Sequence, residues 1–193
     1  MHKAIWLDTI NQEKIIQYKK LTGGVSSEVY HVKTNKNNYC IKRSLKRLLV
    51  KKKWIANTNR IKFEYLWLKH CQNILKRNIP NTYEFNNKKK YIVMEYLKTS
   101  QYKTLKQLYF NKIININTIR SISKHLYKIH SNSSNYKTKK TFEGNYKNFY
   151  DLRLDPYFNE VGRVYPKYKG YIKKINENYI KHSNTLVHGD FSP

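Results

Sequence analysis

The chain has 193 residues, 39% of them hydrophobic and 15% aromatic, which is enough for one large domain or two small lobes around a cleft and too much for a disordered tail. Its formal charge of +27 raises nucleic acid or an anionic surface as partner. The lysines are scattered along the whole length among many asparagines and tyrosines, so the charge reads as solvated surface and no specific nucleic acid is expected.

In chain order, runs at 18–21, 28–33 and 39–43 are separated by Gly23-Gly24 and by the polar stretch 35–38. They predict three antiparallel strands. Over 57–75, Ile61, Tyr65, Leu68 and Cys71 recur at helical spacing, which predicts an amphipathic helix that Pro80 closes. Segments 82–85 and 91–96 predict a hairpin across the polar turn 86–90. The lysine runs 51–53 and 88–90 fall in a loop and in that turn, and neither has the aromatic interleaving of a single-strand-binding groove.

The pattern changes near 97–103, and helix signals dominate beyond it. Ile119, Ile122, Leu126 and Ile129 share one face of a helix over 118–130, and 168–182 predicts another. The stretch 131–145, rich in serine, asparagine and lysine, reads as a mobile loop. A short apolar strand at 185–187 leads into His188-Gly189-Asp190-Phe191-Ser192-Pro193. A sheet with one helix over 1–97, then a helical region over 98–193, predicts an α+β fold without internal repeats.

Cys40 and Cys71 have neither CxxC spacing nor a companion histidine cluster, so no disulfide framework or zinc site is implied. No apolar stretch has signal-peptide or membrane-spanning length, and the chain is expected in the cytoplasm with no membrane partner.

Four groups of residues carry chemistry. Gly23 and Gly24, with Ser26 and Ser27, form a turn where backbone N–H groups can approach a phosphate and hydroxyls can donate; a plain hairpin accounts for the same residues. Lys42 ends the third strand and Glu64 lies mid-helix, the types and order that grip the α and β phosphates in kinases, although either alone reads as an exposed charge. Met94-Glu95-Tyr96-Leu97 leads out of a buried-looking strand where a hinge would present backbone to adenine, or where a core strand simply ends. Asp190 in His188-Gly189-Asp190 has the chemistry to take or orient the proton of an attacking hydroxyl; a lone His-Gly-Asp is also a common turn.

Taken in order, these residues resemble the aminoglycoside phosphotransferase and choline kinase superfamily, whose members are similar in fold to eukaryotic protein kinases and move the γ-phosphoryl group of ATP onto small-molecule hydroxyls. The resemblance spans 21–193. It implies a protein-kinase-like bilobal fold with a nucleotide-binding lobe over 1–97 and a partial helical lobe over 98–193. It also implies ATP contacts at Gly23, Gly24, Ser26, Ser27, Lys42, Glu64, Glu95, Tyr96 and Leu97, with Asp190 as base and His188 bracing its loop. Lys42 and Asp190 would lie on opposite sides of one nucleotide cleft. The run from Asn148 to Phe158 resembles a segment of bacterial members, and a packing role is expected for its aromatics.

The family continues with an asparagine five positions after the aspartate and then a second acid, which hold Mg²⁺. The sequence stops at Pro193. Mg²⁺ is therefore expected for the full-length family, no metal ligand is assigned here, and the 193-residue chain alone is expected to have little or no kinase activity. A fragment, a shortened gene product and a piece completed by another chain all fit. Two other readings stay open: a degenerate remnant that binds nucleotide without transfer, and a basic protein bound to RNA or anionic surfaces. Asp151, Asp155 and Glu160 are candidate acids for a cationic acceptor; acceptor and oligomeric state are otherwise undetermined.

Overall fold

A computed structural model describes residue 7, residues 9–22 and residues 24–191. The chain is mixed α+β and divides into two compact units, Met1–Lys103 and Thr104–Pro193.

In the first unit, β1 (Thr9–Ile10), β2 (Glu13–Leu21), β3 (Ser27–Thr34) and β4 (Asn38–Ser44) precede helix α1 (Arg60–Leu75), and β5 (Thr82–Asn86) and β6 (Tyr91–Glu95) follow it. The six strands form one antiparallel sheet in the order β1-β2-β3-β4-β6-β5. Strand side chains alternate between faces, and the register shows how the two faces are used. Tyr30 pairs with Ile41 and Val32 with Tyr39, while Ile41 pairs with Val93. These residues join Ile10 and Tyr91 in one buried cluster. One residue along, Lys42 pairs with Ile92, and Ile92 packs with Ile61 and Leu68 of α1. Lys42 thus has the opposite parity to Ile41 and belongs to the α1 face of the sheet.

Strands β2 to β5 run longer than the apolar patterning indicates, because antiparallel pairing carries β2 and β3 on through residues such as Gln17 and Thr34. Pro80 does not close α1. The helix stops at Leu75, where Lys76 takes a positive φ of 50°, and a 3₁₀ turn, Lys76–Asn78, follows.

The second unit opens on Thr104, which caps α2 (Leu105–Phe110). Its hydroxyl accepts the Gln107 amide at 3.1 Å, while the Gln107 side chain accepts the Thr104 amide at 3.0 Å, a reciprocal cap that fixes the helix start. Helix α3 (Ile116–Ser131) follows, with Ile129 buried. The expected loop over 131–145 is instead ordered as α4 (Tyr136–Phe142) and a 3₁₀ turn, Glu143–Asn145. Its polar composition conceals a start signal: the Asn135 side chain accepts the Thr138 amide at 2.9 Å.

Helix α5 (Tyr146–Phe149) runs directly into a π-helical stretch, Tyr150–Asn159, and on into α6 (Glu160–Val164). Pro156 lies within the π stretch, where its missing N–H has already removed one ladder bond. Helix α7 (Lys169–Lys181) buries Ile172 and Asn176. The expected strand at 185–187 is irregular backbone. Among the described residues no helix is long and apolar enough to cross a membrane.

Candidate functional site

In the first unit, strand parity and helix spacing converge on one ion pair. Lys42 projects on the face that α1 covers, and Glu64 lies one helical turn beyond buried Ile61. The Lys42 ammonium donates to Glu64 Oε1 at 2.6 Å, with both side chains about two-thirds buried. Partial burial shields such a pair from the solvent screening that weakens exposed ones. Cys40, two residues back on β4, has its thiol pushed up to about 11 by burial, with Lys42 pulling weakly the other way. Such a thiol stays protonated near neutrality.

The turn between β2 and β3 is held from outside. Ser26 carbonyl accepts the Leu45 amide at 3.1 Å, and Val25 carbonyl accepts the Leu49 amide at 2.8 Å. Arg60 at the start of α1 is 9% exposed, which makes its contacts decisive. Its guanidinium donates to the carbonyls of Leu45 at 2.7 Å and Asn57 at 2.8 Å, and also to that of Ser26. Burial lowers its affinity for the proton and nearby Glu64 offsets this. Gly23 lies outside the described residues. Gly24 has room for a side chain, with only the Ser27 carbonyl at 3.7 Å from a Cβ built there. Ser26 is half-buried in the turn, whereas Ser27 is buried at the start of β3 opposite Ser44.

At the end of β6, the side chains of the hinge-like residues are largely occupied. Glu95 Oε2 accepts the Asn81 amide at 3.1 Å, and Tyr96 stacks on His31 with ring centroids 3.8 Å apart. Leu97 follows, exposed. A ligand here would meet backbone more than these side chains.

In the second unit, the segment before Asp190 is tied to the end of α3. Ser133, 1% exposed, shares a hydrogen bond between its hydroxyl and Thr185 Oγ1 at 2.7 Å and accepts the Leu186 amide at 3.1 Å, and both hydroxyls lie within hydrogen-bond reach of the His130 carbonyl. Gly189 takes φ +76°, and a Cβ there would stand 3.2 Å from Phe149 Cε2. Phe149 is itself stacked on Tyr179 of α7, centroids 5.0 Å apart. Only glycine combines that backbone with that approach. His188 meets Phe191 edge to face, centroids 6.2 Å apart.

Asp190 is more exposed than buried, and its Oδ2 accepts from Arg153 Nη2 at 2.9 Å. Arg153 comes from the π-helical stretch, so the 148–158 run supplies both Phe149 beneath the loop and a guanidinium on its carboxylate. The expected packing role describes Phe149 and omits Arg153. Arg60, Ser133 and Arg153 were not anticipated. Arg60 and Ser133 carry no local sequence signal, since each acts on backbone distant in the chain; Arg153 sits within a run that stands out only by resemblance.

Among the described residues, no group of three or more His, Cys, Asp or Glu side chains is placed to hold a metal ion. No protein-family model and no curated protein matches the chain.

Proposed function

We propose that the chain is an ATP-dependent phosphotransferase with a protein-kinase-like fold, moving the γ-phosphoryl group onto a hydroxyl of a small molecule. The carrying observation is the 2.6 Å Lys42–Glu64 pair. A strand lysine steadied by a glutamate from the helix that follows, with a hairpin and a hinge-like exit after it, is the arrangement kinases use on the α and β phosphates. His188-Gly189-Asp190 on a loop held by Ser133, Phe149 and Arg153 supports the same reading.

In this mechanism Lys42 donates to the α and β phosphates, and Glu64 keeps its ammonium from wandering. Asp190 accepts the proton of the acceptor hydroxyl as that oxygen forms its bond to the γ phosphorus. The bond from the γ phosphorus to the oxygen bridging it to the β phosphorus breaks, ADP leaves with that electron pair, and Asp190 returns its proton to solvent. Mg²⁺ in kinases neutralises charge on the transferring group; the described residues form no cluster for it, and no step here runs through it.

ATP-dependent thermal stabilisation and ADP release, measured on the full gene product, test the proposal. Lys42→Ala is expected to abolish the stabilisation, and Asp190→Ala to abolish ADP release while keeping it. Unchanged behaviour in both variants would end the reading. Stabilisation of the unsubstituted protein without turnover would assign it as a nucleotide-binding remnant.

A further inference from the structure

We infer that the acceptor carries an anionic group, a carboxylate or a phosphate ester, and that Arg153 is the residue that reads it. This rests on the phosphotransferase reading and names its substrate class. Residues 104–193 contain sixteen lysines and arginines but six acids, and five of those acids are in ion pairs. Asp151 holds Lys147 at 3.1 Å, Asp155 and Glu160 share Arg163, Glu177 lies 3.8 Å from Lys173, and Asp190 holds Arg153. Asp151, Asp155 and Glu160, the acids a cationic acceptor would have needed, therefore each face a cation of their own chain. Glu143 is the remaining carboxylate, and it lines a pocket of about 390 Å³ together with Lys139, Phe149 and Val187. One acid beside one lysine provides no net attraction for a polycation.

Arg153 is the cation beside the carboxylate proposed to take the acceptor's proton. Its guanidinium touches the proposed base, and its side chain remains 30% exposed, enough for a ligand to reach it. Nη2 serves Asp190, and among the described residues Nη1 makes a long 3.3 Å contact with the Leu152 carbonyl. A guanidinium has five N–H donors in a planar fork that suits carboxylate and phosphate. It can bridge Asp190 and an acceptor anion at once, bringing the acceptor hydroxyl toward the carboxylate that takes its proton. The step is then the transfer already described, R–OH plus ATP giving R–O–phosphate, ADP and a proton, with R anionic.

The test is acceptor-stimulated ADP release with probes matched by charge: glycerate and ribose 5-phosphate, glycerol and ribose, choline and kanamycin. Glycerate or ribose 5-phosphate is expected to stimulate release where its neutral counterpart does not, and which of the two does so distinguishes carboxylate from phosphate. Arg153→Gln is expected to raise the KM of the stimulating anion ~10-fold, the loss of one charged hydrogen bond, while leaving the KM for ATP unchanged. Arg153→Lys should recover part of it. Stimulation by choline or kanamycin alone, or equal rises for neutral and anionic probes in Arg153→Gln, would overturn the inference. A protein that releases ADP without regard to acceptor charge fails this inference alone; one that ATP does not stabilise fails the phosphotransferase reading as well.

Discussion

Glu13 opens β2 as a nearly buried carboxylate with three donors around it: the Thr34 hydroxyl at 2.5 Å, Asn37 Nδ2 at 2.7 Å and the Tyr39 hydroxyl at 3.1 Å. The Thr34 hydrogen bond, opposed by desolvation, leaves its carboxyl below the ordinary glutamate value. A depressed folded-state value means that the ionised form stabilises the fold above the ordinary carboxylate range and that this contribution is lost as pH falls through the lowered value. Glu13→Gln is therefore expected to flatten the fall in melting temperature between about pH 5 and pH 3. An acid limb identical to that of the unsubstituted protein would count against the cage. Arg60 is the complementary case, a buried cation bonded mainly to carbonyls. Arg60→Ala removes the donor to several carbonyls, those of Ser26 and Leu45 half-buried, and empties a buried site, and should cost about 2–4 kcal/mol in a denaturant titration. A loss under about 0.5 kcal/mol, the scale of a surface change, would show the bonds to be incidental.

At the scale of elements, the loop bearing Asp190 owes its shape to its neighbours. Ser133→Ala removes the acceptor of the Leu186 amide and the hydrogen bond shared with Thr185, and should cost about 1–3 kcal/mol. Amide exchange at Leu186 should accelerate more than exchange in β4; equal acceleration in both would mean general destabilisation and no specific tether. Gly189→Ala places a Cβ at φ +76° and against Phe149, a backbone strain of about 1–2 kcal/mol before any clash. It is expected to lower ADP release while leaving ATP-dependent stabilisation intact. Full activity in that variant would show that the loop tolerates another backbone conformation. The π-helical stretch has a related consequence. Its wider turn is the local geometry in which Arg153 meets Asp190 and Asp155 meets Arg163, and such stretches concentrate at functional sites.

For the whole molecule, the charge of +27 sets the non-specific behaviour. Weak, sequence-independent association with single-stranded RNA is expected at low salt and should vanish near physiological ionic strength of ~0.15 M, where exposed charges are screened beyond about 8 Å. Sequence-selective binding that survives ~0.15 M salt would revive the RNA-binding reading. Screening leaves short, partly buried pairs such as Lys42–Glu64 largely untouched, so ATP-dependent stabilisation should respond to salt less than RNA retention does.

Periodicity in the sequence determined β3 to β6 and helices α1, α3 and α7, because alternation by two and recurrence by three or four are written locally; β1 and the first half of β2 escaped it, and the strand expected at 185–187 did not form. The Lys42–Glu64 pair was foreshadowed by a strand lysine followed by a helix glutamate, whereas the order that joins them to the glycine turn, the hinge-like exit and Asp190 stood out by resemblance. What the chain does with polar residues was decided only in three dimensions. Helix α4 and buried Ser133 lie in a stretch whose composition reads as loop, since one cap and one distant partner outweigh many solvated neighbours. The contacts of Arg60 and Arg153 with Ser26 and Asp190 join residues more than 30 apart. A hydrogen bond across such a separation leaves no trace in spacing, because only folding supplies the second atom.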